Sequence, residues 1–532
     1  MDALRKAYAL DLRSLAFFRI ALGIHELIDI AWRVVDVEAF FTDFGVLPRG
    51  RLIESFSSEW LLSLHNWGGT VFSQLVLFAL EAVFAFGLLV GYRTRLMTFL
   101  TWLLLCSCES RNGMVLQAGD ILMRLLLFFG MFVPLGAVWS VDRARAASRS
   151  EPLEPGIASF GTLSLTIQFV SVYFFTILLK YGNEWRDGSA VYLALSIDQF
   201  ATYFGKWMAT QPWLTMTLTH LTFWLELLGP LLLMFVPSRF GVTRTLLVLS
   251  VIGMHLGFWM GLQIGIFGLT SCTSAVFLLP SWFWNRLAPL WARLVAQGTV
   301  LGGLAATAAR WVARLPERAV TWRPSALSES LVALATAYCL AYNIGTLDRY
   351  QWLGTNEKGE FGIVIKDGPP VKMKPWLDAI GLTLRLDQRW NMFAPFPLVD
   401  DGWYVFPAKL RDGSEVDLFT DGGPVDISKP EHVVDVGYYR WQRWRKYVMN
   451  LWMVRYKDHR LQFGRYLCRK WNRDHADEPG KQLETFEMNF YLERTPRKNE
   501  EAQPIKEIKL WKHTCFDKAK PAEPAKPAEP AK

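Results

Sequence analysis

The feature that most constrains this chain is a series of apolar runs, each approaching the length of a membrane-spanning helix. A helix needs about 20 apolar residues to cross the hydrocarbon core of a bilayer. The composition agrees, because 52% of the residues are hydrophobic and only 20% are charged. We therefore predict an α-helical integral membrane bundle of about nine transmembrane helices, some of them short for a full crossing. The predicted spans are Ser14–Val34, Val71–Val90, Leu96–Cys108, Ile121–Trp139, Leu163–Leu179, Trp213–Val236, Leu246–Met260, Ile264–Pro280 and Leu331–Ile344.

The basic residues predict the orientation of this bundle. If the N-terminus is cytoplasmic, every Arg-rich connection falls on the cytoplasmic side, as the positive-inside rule requires. Those connections are residues 92–95, 143–149, 237–244 and 284–323. The net charge of +8 therefore indicates membrane topology and not nucleic-acid binding. We expect an integral protein of a bacterial inner membrane, in contact with the lipid bilayer. Residues 287–309 are interpreted as helices on the inner surface, and a crossing there would move the C-terminal region to the other side.

The composition changes after residue 345. Residues 1–345 form the predicted transmembrane domain, and residues 346–515 form an α+β domain that we expect to be extracytoplasmic. Strands are predicted at 403–406, 416–419 and 486–492 from alternating apolar and polar residues, with helical runs within 434–457. Residues 516–532 repeat Lys, Pro, Ala and Glu, which predicts a disordered tail. Cys468 and Cys515 are able to pair in an oxidising compartment, but the sequence does not fix their distance.

Lys180 follows the apolar run Leu163–Leu179, which is long enough to end a membrane-spanning helix, and Glu184, Trp185 and Arg186 come after it. A lysine at this position either snorkels to the headgroups or works in a cavity. A lysine held in an apolar cavity can act as a neutral base, and this is the role that we predict for Lys180. The alternative is that Lys180, Trp185 and Arg186 only anchor the end of a helix at the membrane interface.

The first span carries a polar face, because Arg19, Glu26 and Arg33 recur every seven residues and Asp29 lies between the last two. Such a face cannot point at lipid, so we expect it to point into the bundle or into a wet cavity. Internal ion pairs that only hold helices together are the alternative interpretation.

The predicted topology brings polar residues of several spans to the outer half of the bilayer. His255 is a candidate hydrogen-bond donor to a developing anion, and a satisfied histidine between helices is its alternative. No histidine or cysteine spacing indicates a metal site, and none is predicted. The candidate catalytic residues are Lys180, His255 and Asn112, and the candidate ligand-binding residues are Asp29, Arg33, Arg111, Asp120, Arg124, Trp185, Glu226 and Trp259.

Several motifs resemble the HTTM (horizontally transferred transmembrane) superfamily, which includes the vitamin K-dependent gamma-carboxylases. They are residues 18–23, 40–48, 89–95, 110–112 with 119–120, 132–136, 180–188, 255–280 and 388–397. The resemblance implies that Lys180, five residues before Trp185, deprotonates reduced vitamin K or another quinol. It also implies carboxylation of a glutamate side chain with carbon dioxide. Asn112 matches an asparagine of the carboxylases, but Gly113 stands where they have a catalytic histidine.

Three hypotheses follow for the function. The first is a quinol-dependent, carboxylase-like enzyme with a quinone-like or lipid-like ligand at the outer leaflet. The second is a non-enzymatic membrane factor for the secretion or maturation of a peptide or protein, which would dock on the C-terminal domain. The third is a bundle whose buried charges only fix helix packing.

Overall fold

The fold is taken from a computed structural model of the chain. The structure describes residues 7–55, 60–146, 156–296, 324–347, 350–355, 361–365, 375–497 and 500–516, with isolated positions between 298 and 314. The predicted tail therefore lies outside the described residues, apart from its first position, and so does most of residues 297–323.

Nine helices in the described part of the chain correspond to the nine predicted runs. Five of them are long and apolar enough to cross a membrane: Val71–Val90, Phe160–Leu179, Pro212–Phe235, Gly241–Gly261 and Ala326–Thr346. The other four are Leu12–Val35, Thr94–Arg111, Ala118–Gly130 and Phe267–Val276. The last two have 13 and 10 residues, which at about 1.5 Å per residue is too short for a bilayer core about 30 Å thick. The protein is a mostly helical membrane protein with five candidate spanning helices.

Local sequence signals set the ends of these helices. Thr70 caps Val71–Val90 by accepting a hydrogen bond from the backbone of Ser73, and Gly91 ends that helix in the left-handed conformation with φ 70°. The same helix packs closely on the first one, because a Cβ atom at Gly23 would lie 2.7 Å from the Cα atom of Leu89. A larger residue at position 23 would therefore push the two helices apart.

The polar face of helix Leu12–Val35 points into the bundle, as predicted. Arg19, Glu26 and Arg33 have at most 1% of their surface exposed. Arg19 donates to the backbone oxygens of Leu135 and Trp139, at 3.3 and 2.6 Å. The periodicity of seven therefore identified the buried side of this helix.

Shorter helices lie at the ends of the bundle. Helix Ser281–Leu294 has no buried residue, and it covers the beginning of the segment predicted to lie on the inner surface. The remaining short helices are Val37–Phe41, Arg49–Ser55, Val141–Ala144, Asn183–Arg186, Ala190–Leu195 and Tyr203–Ala209.

The C-terminal region contains a five-stranded antiparallel sheet around strand Leu483–Arg494. One edge of this strand pairs with Asp400–Val405 and Pro407–Leu410, and the other pairs with Lys506–Thr514. The short strand Glu415–Asp417 completes the sheet by pairing with Pro407–Leu410. A separate hairpin joins Tyr350–Thr355 to Phe361–Ile365, and the helices of the region are Pro375–Leu384, Gln442–Trp452 and His459–Asp474.

The predicted strands at 403–406 and 486–492 are confirmed, while two other elements differ from prediction. The strand predicted at 416–419 ends at Asp417, because the Asp417 carboxylate accepts from the backbone N–H of Phe419 and starts a 3-10 turn. The predicted helical run 434–457 begins as 3-10 turns and becomes α-helical only at Gln442.

A disulfide joins Cys468 of helix His459–Asp474 to Cys515, next to the end of the last strand. Their Cα atoms are 5.4 Å apart. The bond therefore ties this helix to the edge of the sheet.

The C-terminal region packs directly on the bundle. Phe40 and Trp444 have ring centroids 4.5 Å apart, and the Asn450 side chain donates to the Met114 carbonyl at 2.8 Å. Trp390 is 1% exposed and belongs to the same apolar cluster as the bundle helices. The parts of the chain before and after residue 345 thus share one packed interior.

Candidate functional site

The lysine loop, residues 180–188, turns its amine inward. Helix Phe160–Leu179 ends at Lys180, whose side chain is 2% exposed and whose Nζ donates to Glu226 Oε2. The amine also lies 4.0 Å from the centre of the Trp185 ring, a cation–π contact. Lys180 and Trp185 are both buried, so they are not the interfacial anchor of the alternative interpretation. Arg186 is exposed.

Lys180 and Glu226 form the charged end of a cavity of about 480 Å³, called the lysine cavity. Its walls come from the two short helices after the loop and from helices Pro212–Phe235 and Gly241–Gly261, and they are almost entirely apolar. The lining residues used below are Trp185, Leu225, Met254, Phe258, Leu262 and Phe393. The cavity therefore combines one charged pair with an apolar body.

A segment from beyond the last long helix closes this cavity. We call residues 385–397 the closing segment. Trp185 donates its indole N–H to the Phe393 carbonyl at 3.2 Å, and the Gly182 N–H donates to the Pro395 carbonyl at 3.2 Å. These bonds join the closing segment to the lysine loop, and Phe393 lines the lysine cavity.

Two glutamines fix the other end of the closing segment. Gln168 of helix Phe160–Leu179 donates to Gln388 Oε1 at 2.9 Å, and the Trp390 indole donates to the same oxygen at 2.8 Å. All three side chains are buried. The helix that carries Lys180 therefore also holds the segment that covers it.

His255 lies behind the wall of the lysine cavity. Its Nε2 and the Tyr173 hydroxyl form a hydrogen bond of 2.7 Å, and it interacts electrostatically with Lys180. The neighbouring residues Met254 and Phe258 line the cavity, but His255 does not. His255 is thus close to the lysine without facing the same space, and its proposed role as a donor stays a prediction.

Asp29, Arg33 and Asp120 belong to a second buried group, which includes Arg443 from helix Gln442–Trp452. Arg33 bonds Asp29 at 2.5 Å and Asp120 at 2.7 Å. Arg443 pairs with Asp29 and lies 3.3 Å from Asp120. Each of the four side chains is at most 4% exposed. This charge-balanced cluster joins the bundle to the C-terminal region and does not line the lysine cavity.

Arg124 belongs to a third buried group. Its guanidinium bonds Glu109 at 2.6 Å and Asp387 at 3.0 Å, and Arg385 bonds the same Glu109 carboxylate at 3.0 Å. Arg385 and Asp387 are part of the closing segment. Arg124 therefore secures this segment to the bundle, and it too is absent from the lining of the lysine cavity.

Arg111 and Asn112 bind backbone atoms. Arg111 donates to the carbonyls of Leu47 and Thr42, and Asn112 donates to Phe40 O and accepts from Met114 N, both at 3.1 Å. These bonds fix the loops after the first helix. The space around an added Cβ at Gly113 is open, with no atom within 4 Å.

Trp259 is 41% exposed and lines a different cavity, described below. The single hollow expected from the sequence is therefore divided: Lys180, Trp185 and Glu226 share the lysine cavity, and the other candidates lie in separate groups.

Sequence reasoning missed Tyr173, Phe393 and Arg443. Phe393 was inside a motif that carried the family resemblance, while Arg443 lay in a Trp- and Arg-rich run without a signal for burial. Among the described residues, no group of three or more His, Cys, Asp or Glu side chains could hold a metal ion.

The first half of the chain, which holds most of these residues, matches a known protein family. The family described as HTTM domain matches residues 8–282, just over half of the chain. The chain belongs to the HTTM domain family. No significant match was found among curated proteins or among solved structures. The HTTM part holds Lys180, Glu226 and His255, whereas the closing segment and Arg443 lie outside it. A chain of this family with apolar spanning helices is an integral membrane protein.

Proposed function

We propose that this HTTM protein binds a reduced quinone or a similar membrane-derived ring compound in the lysine cavity, and that Lys180 removes a proton from its hydroxyl group. The supporting observation is a buried amine at the charged end of an otherwise apolar cavity. Buried ionisable groups inside a membrane bundle are functional candidates by default.

The cavity fits such a ligand in size and in chemistry. Its volume of about 480 Å³ lies within the usual range of small-molecule sites. Leu225, Met254 and Phe258 offer apolar contacts to a ring and an isoprenoid chain, and Trp185 offers an aromatic face. A bound hydroquinone supplies an acidic hydroxyl and, with oxygen, the oxidation chemistry.

The pairing of Lys180 with Glu226 defines the proton transfer. An ammonium group cannot accept a proton, so Lys180 must first give one away. Glu226 is placed to take it, because its carboxylate already accepts the hydrogen bond from Nζ. Apolar surroundings disfavour separated charges, which makes a neutral amine beside a neutral acid accessible. The Trp185 ring holds the amine in position while it is protonated.

We place the C-terminal region outside the cytoplasm, with the N-terminus inside. The Arg-rich connections support this orientation through the positive-inside rule. The Cys468–Cys515 disulfide supports it independently, since such bonds persist in oxidising compartments. Labelling of cysteines introduced at Arg239 and at Lys409 in intact cells would test it, with modification by an impermeant reagent expected only at 409.

Turnover by purified protein in nanodiscs tests the proposed chemistry. The substrate is a short-chain reduced naphthoquinone, and the readout is its oxygen-dependent consumption. We expect turnover in the wild type and in the matched control Lys409→Ala, whose lysine is 67% exposed. We expect a loss of at least 100-fold in Lys180→Met, as for removal of a general base.

Two results would reject this proposal. One is wild-type turnover in Lys180→Met, and the other is a wild type that neither binds nor consumes the quinol. Carboxylation is scored separately, by incorporation of labelled carbon dioxide into an added glutamate-containing peptide.

The alternative function, a non-enzymatic factor for a peptide or protein partner, is favoured by Gly113, which stands where the carboxylases have a catalytic histidine, and by the edge strand Lys506–Thr514. This strand pairs on one side with Leu483–Arg494, and no described strand pairs with its other side. Such an edge can receive an extended peptide. Two results together would support the alternative. The wild type would show no quinol turnover, and it would bind a partner that Ile508→Pro no longer binds but that Lys409→Ala still binds.

A further inference from the structure

A second cavity lies between the bundle and the C-terminal region. This arginine cavity has a volume of about 370 Å³. The ends of helices Leu12–Val35 and Gly241–Gly261 form one side, and the start of helix Gln442–Trp452 forms the other. Its lining residues are Trp32, Val35, Asp36, Trp259, Gln263, Gly265, Arg440, Trp441, Gln442, Arg443 and Arg445.

The arginine cavity carries an excess of positive charge, because three arginines and only one carboxylate, that of Asp36, line it. Arg443 is balanced within its cluster with Asp29. Arg445 is 3% exposed and donates to neutral groups, the Gln263 side chain at 2.6 Å and the Tyr439 carbonyl at 2.8 Å. No carboxylate of the described residues lies within ion-pair distance of Arg440 or Arg445. Asp435 acts on Arg445 electrostatically without forming an ion pair, so the excess positive charge of the cavity favours an anion from outside the chain.

Two polar nitrogens at this cavity lack partners. Arg443 Nε and Gln442 Nε2 are buried and make no hydrogen bond within the described structure. Arg443 is 4% exposed, so solvent does not serve its nitrogen fully. An unsatisfied buried donor costs about 1–3 kcal/mol, and an acceptor oxygen from a ligand would remove that cost. Gln442 is held in place, because its Oε1 accepts from the Ile266 N–H at 3.0 Å.

Three half-exposed tryptophans surround these groups. Trp32, Trp259 and Trp441 are 43%, 41% and 58% exposed. Trp32 and Trp259 lie in the last turns of their helices, and tryptophan is enriched at the level of the lipid headgroups. Cationic donors beside interfacial tryptophans match a molecule with an anionic head and apolar chains.

We propose that the arginine cavity binds the phosphate headgroup of an anionic phospholipid. Arg440 presents its terminal nitrogens to the phosphate, as arginine does in many phosphate sites, and Gln442 donates its free N–H. The acyl chains lie against Trp32 and Trp259. This site is separate from the lysine cavity, although both use the same stretch of chain: Phe258 and Leu262 line one, and Trp259 and Gln263 line the other.

Binding of short-chain lipids to the purified protein in neutral detergent tests this proposal. The probes are dioctanoyl phosphatidylglycerol, dioctanoyl phosphatidylcholine and inorganic phosphate. Direct binding is measured by the quenching of tryptophan fluorescence by brominated forms of the two lipids. Displacement is measured by the recovery of that fluorescence when an unbrominated lipid or inorganic phosphate is added. We expect phosphatidylglycerol to bind about tenfold more tightly than phosphatidylcholine, the effect of one charged hydrogen bond. Inorganic phosphate should not displace it at equal concentration.

Arg440→Gln is the test variant, since Arg440 is exposed and its loss leaves the buried cluster intact. Its affinity for phosphatidylglycerol should fall about tenfold, to that for phosphatidylcholine. The matched control is Arg239→Gln, an exposed arginine beside Phe240, which should bind as the wild type does. Both should unfold at the wild-type temperature without lipid.

Three outcomes would overturn the proposal. Equal binding of the two lipids by the wild type would show that the cavity does not select an anionic head. Unchanged binding by Arg440→Gln would place the lipid elsewhere. Displacement by inorganic phosphate at equal concentration would show an anion site to which the lipid chains contribute nothing.

Discussion

Removing one partner of the Lys180–Glu226 pair should destabilise the protein about as much as removing both. The two side chains are 2% and 8% exposed, so either one left alone is a buried, unpaired charge. Breaking such a pair costs about 3–5 kcal/mol. Lys180→Met and Glu226→Leu should therefore each lower the free energy of unfolding by about 3 kcal/mol.

The double variant Lys180→Met with Glu226→Leu should lose only about 3 kcal/mol in total. It leaves no buried charge, and its main loss is the cation–π contact with Trp185, worth about 2 kcal/mol when desolvated. The interaction free energy from the double-mutant cycle should thus be about 3 kcal/mol. Equilibrium unfolding in mixed detergent measures all four proteins. Additive losses, or single variants as stable as the wild type, would refute a buried pair.

The remaining predictions concern the C-terminal region and the open position in the bundle. Cys515→Ser should lower the free energy of unfolding of the C-terminal region by about 4 kcal/mol, because the unfolded chain is no longer restrained by the 47-residue loop that the bond to Cys468 closes. Thermal unfolding of the wild type with added reductant should show the same loss. Burial and the neighbouring Asp198 carboxylate raise the pKa of Asp401 to about 7, so the folded state holds its proton between about pH 4 and 7 and the stability from this group is lost as the pH rises through that range. In the wild type, the free energy of unfolding should fall by at most about 4 kcal/mol over that pH range. Asp401→Asn should remove this pH dependence, which a pH series of unfolding midpoints measures. Gly113→His should change the unfolding free energy by no more than about 0.5 kcal/mol, because the position is exposed and open, and a loss above 2 kcal/mol would contradict this.

The helices of the bundle could be predicted because apolar runs and their periodicity are local signals in the sequence. Every apolar run became a helix, and the period of seven in Arg19, Glu26 and Arg33 identified the inward face. Whether a helix crosses the bilayer was less visible, since the run Ile121–Trp139 is apolar apart from Arg124, yet its helix stops at Gly130, shortly before Pro134. Apolar composition alone did not reveal this early end.

The candidate site could be predicted only along one axis. Hydropathy gives the approximate depth of a residue in the membrane: Lys180 follows the end of its helix, Asp29 lies in the second half of Leu12–Val35, and Arg124 is in the middle of Ala118–Gly130. It does not give the position around the bundle, which sorted these three into separate groups. Partners such as Phe393 and Arg443 come from more than 200 residues beyond Lys180, and no sequence spacing connects them.

The late position of the closing segment in the chain affects how the protein assembles during synthesis. It is synthesised after all nine bundle helices, yet it supplies Trp390 to their interior and Phe393 to the wall of the cavity that holds the Lys180 amine. While the ribosome is still making residues 385–397, Glu109 and Arg124 of the inserted helices lack their partners Arg385 and Asp387. Quality control in the membrane therefore has a window in which an incomplete chain is distinguishable from a finished one.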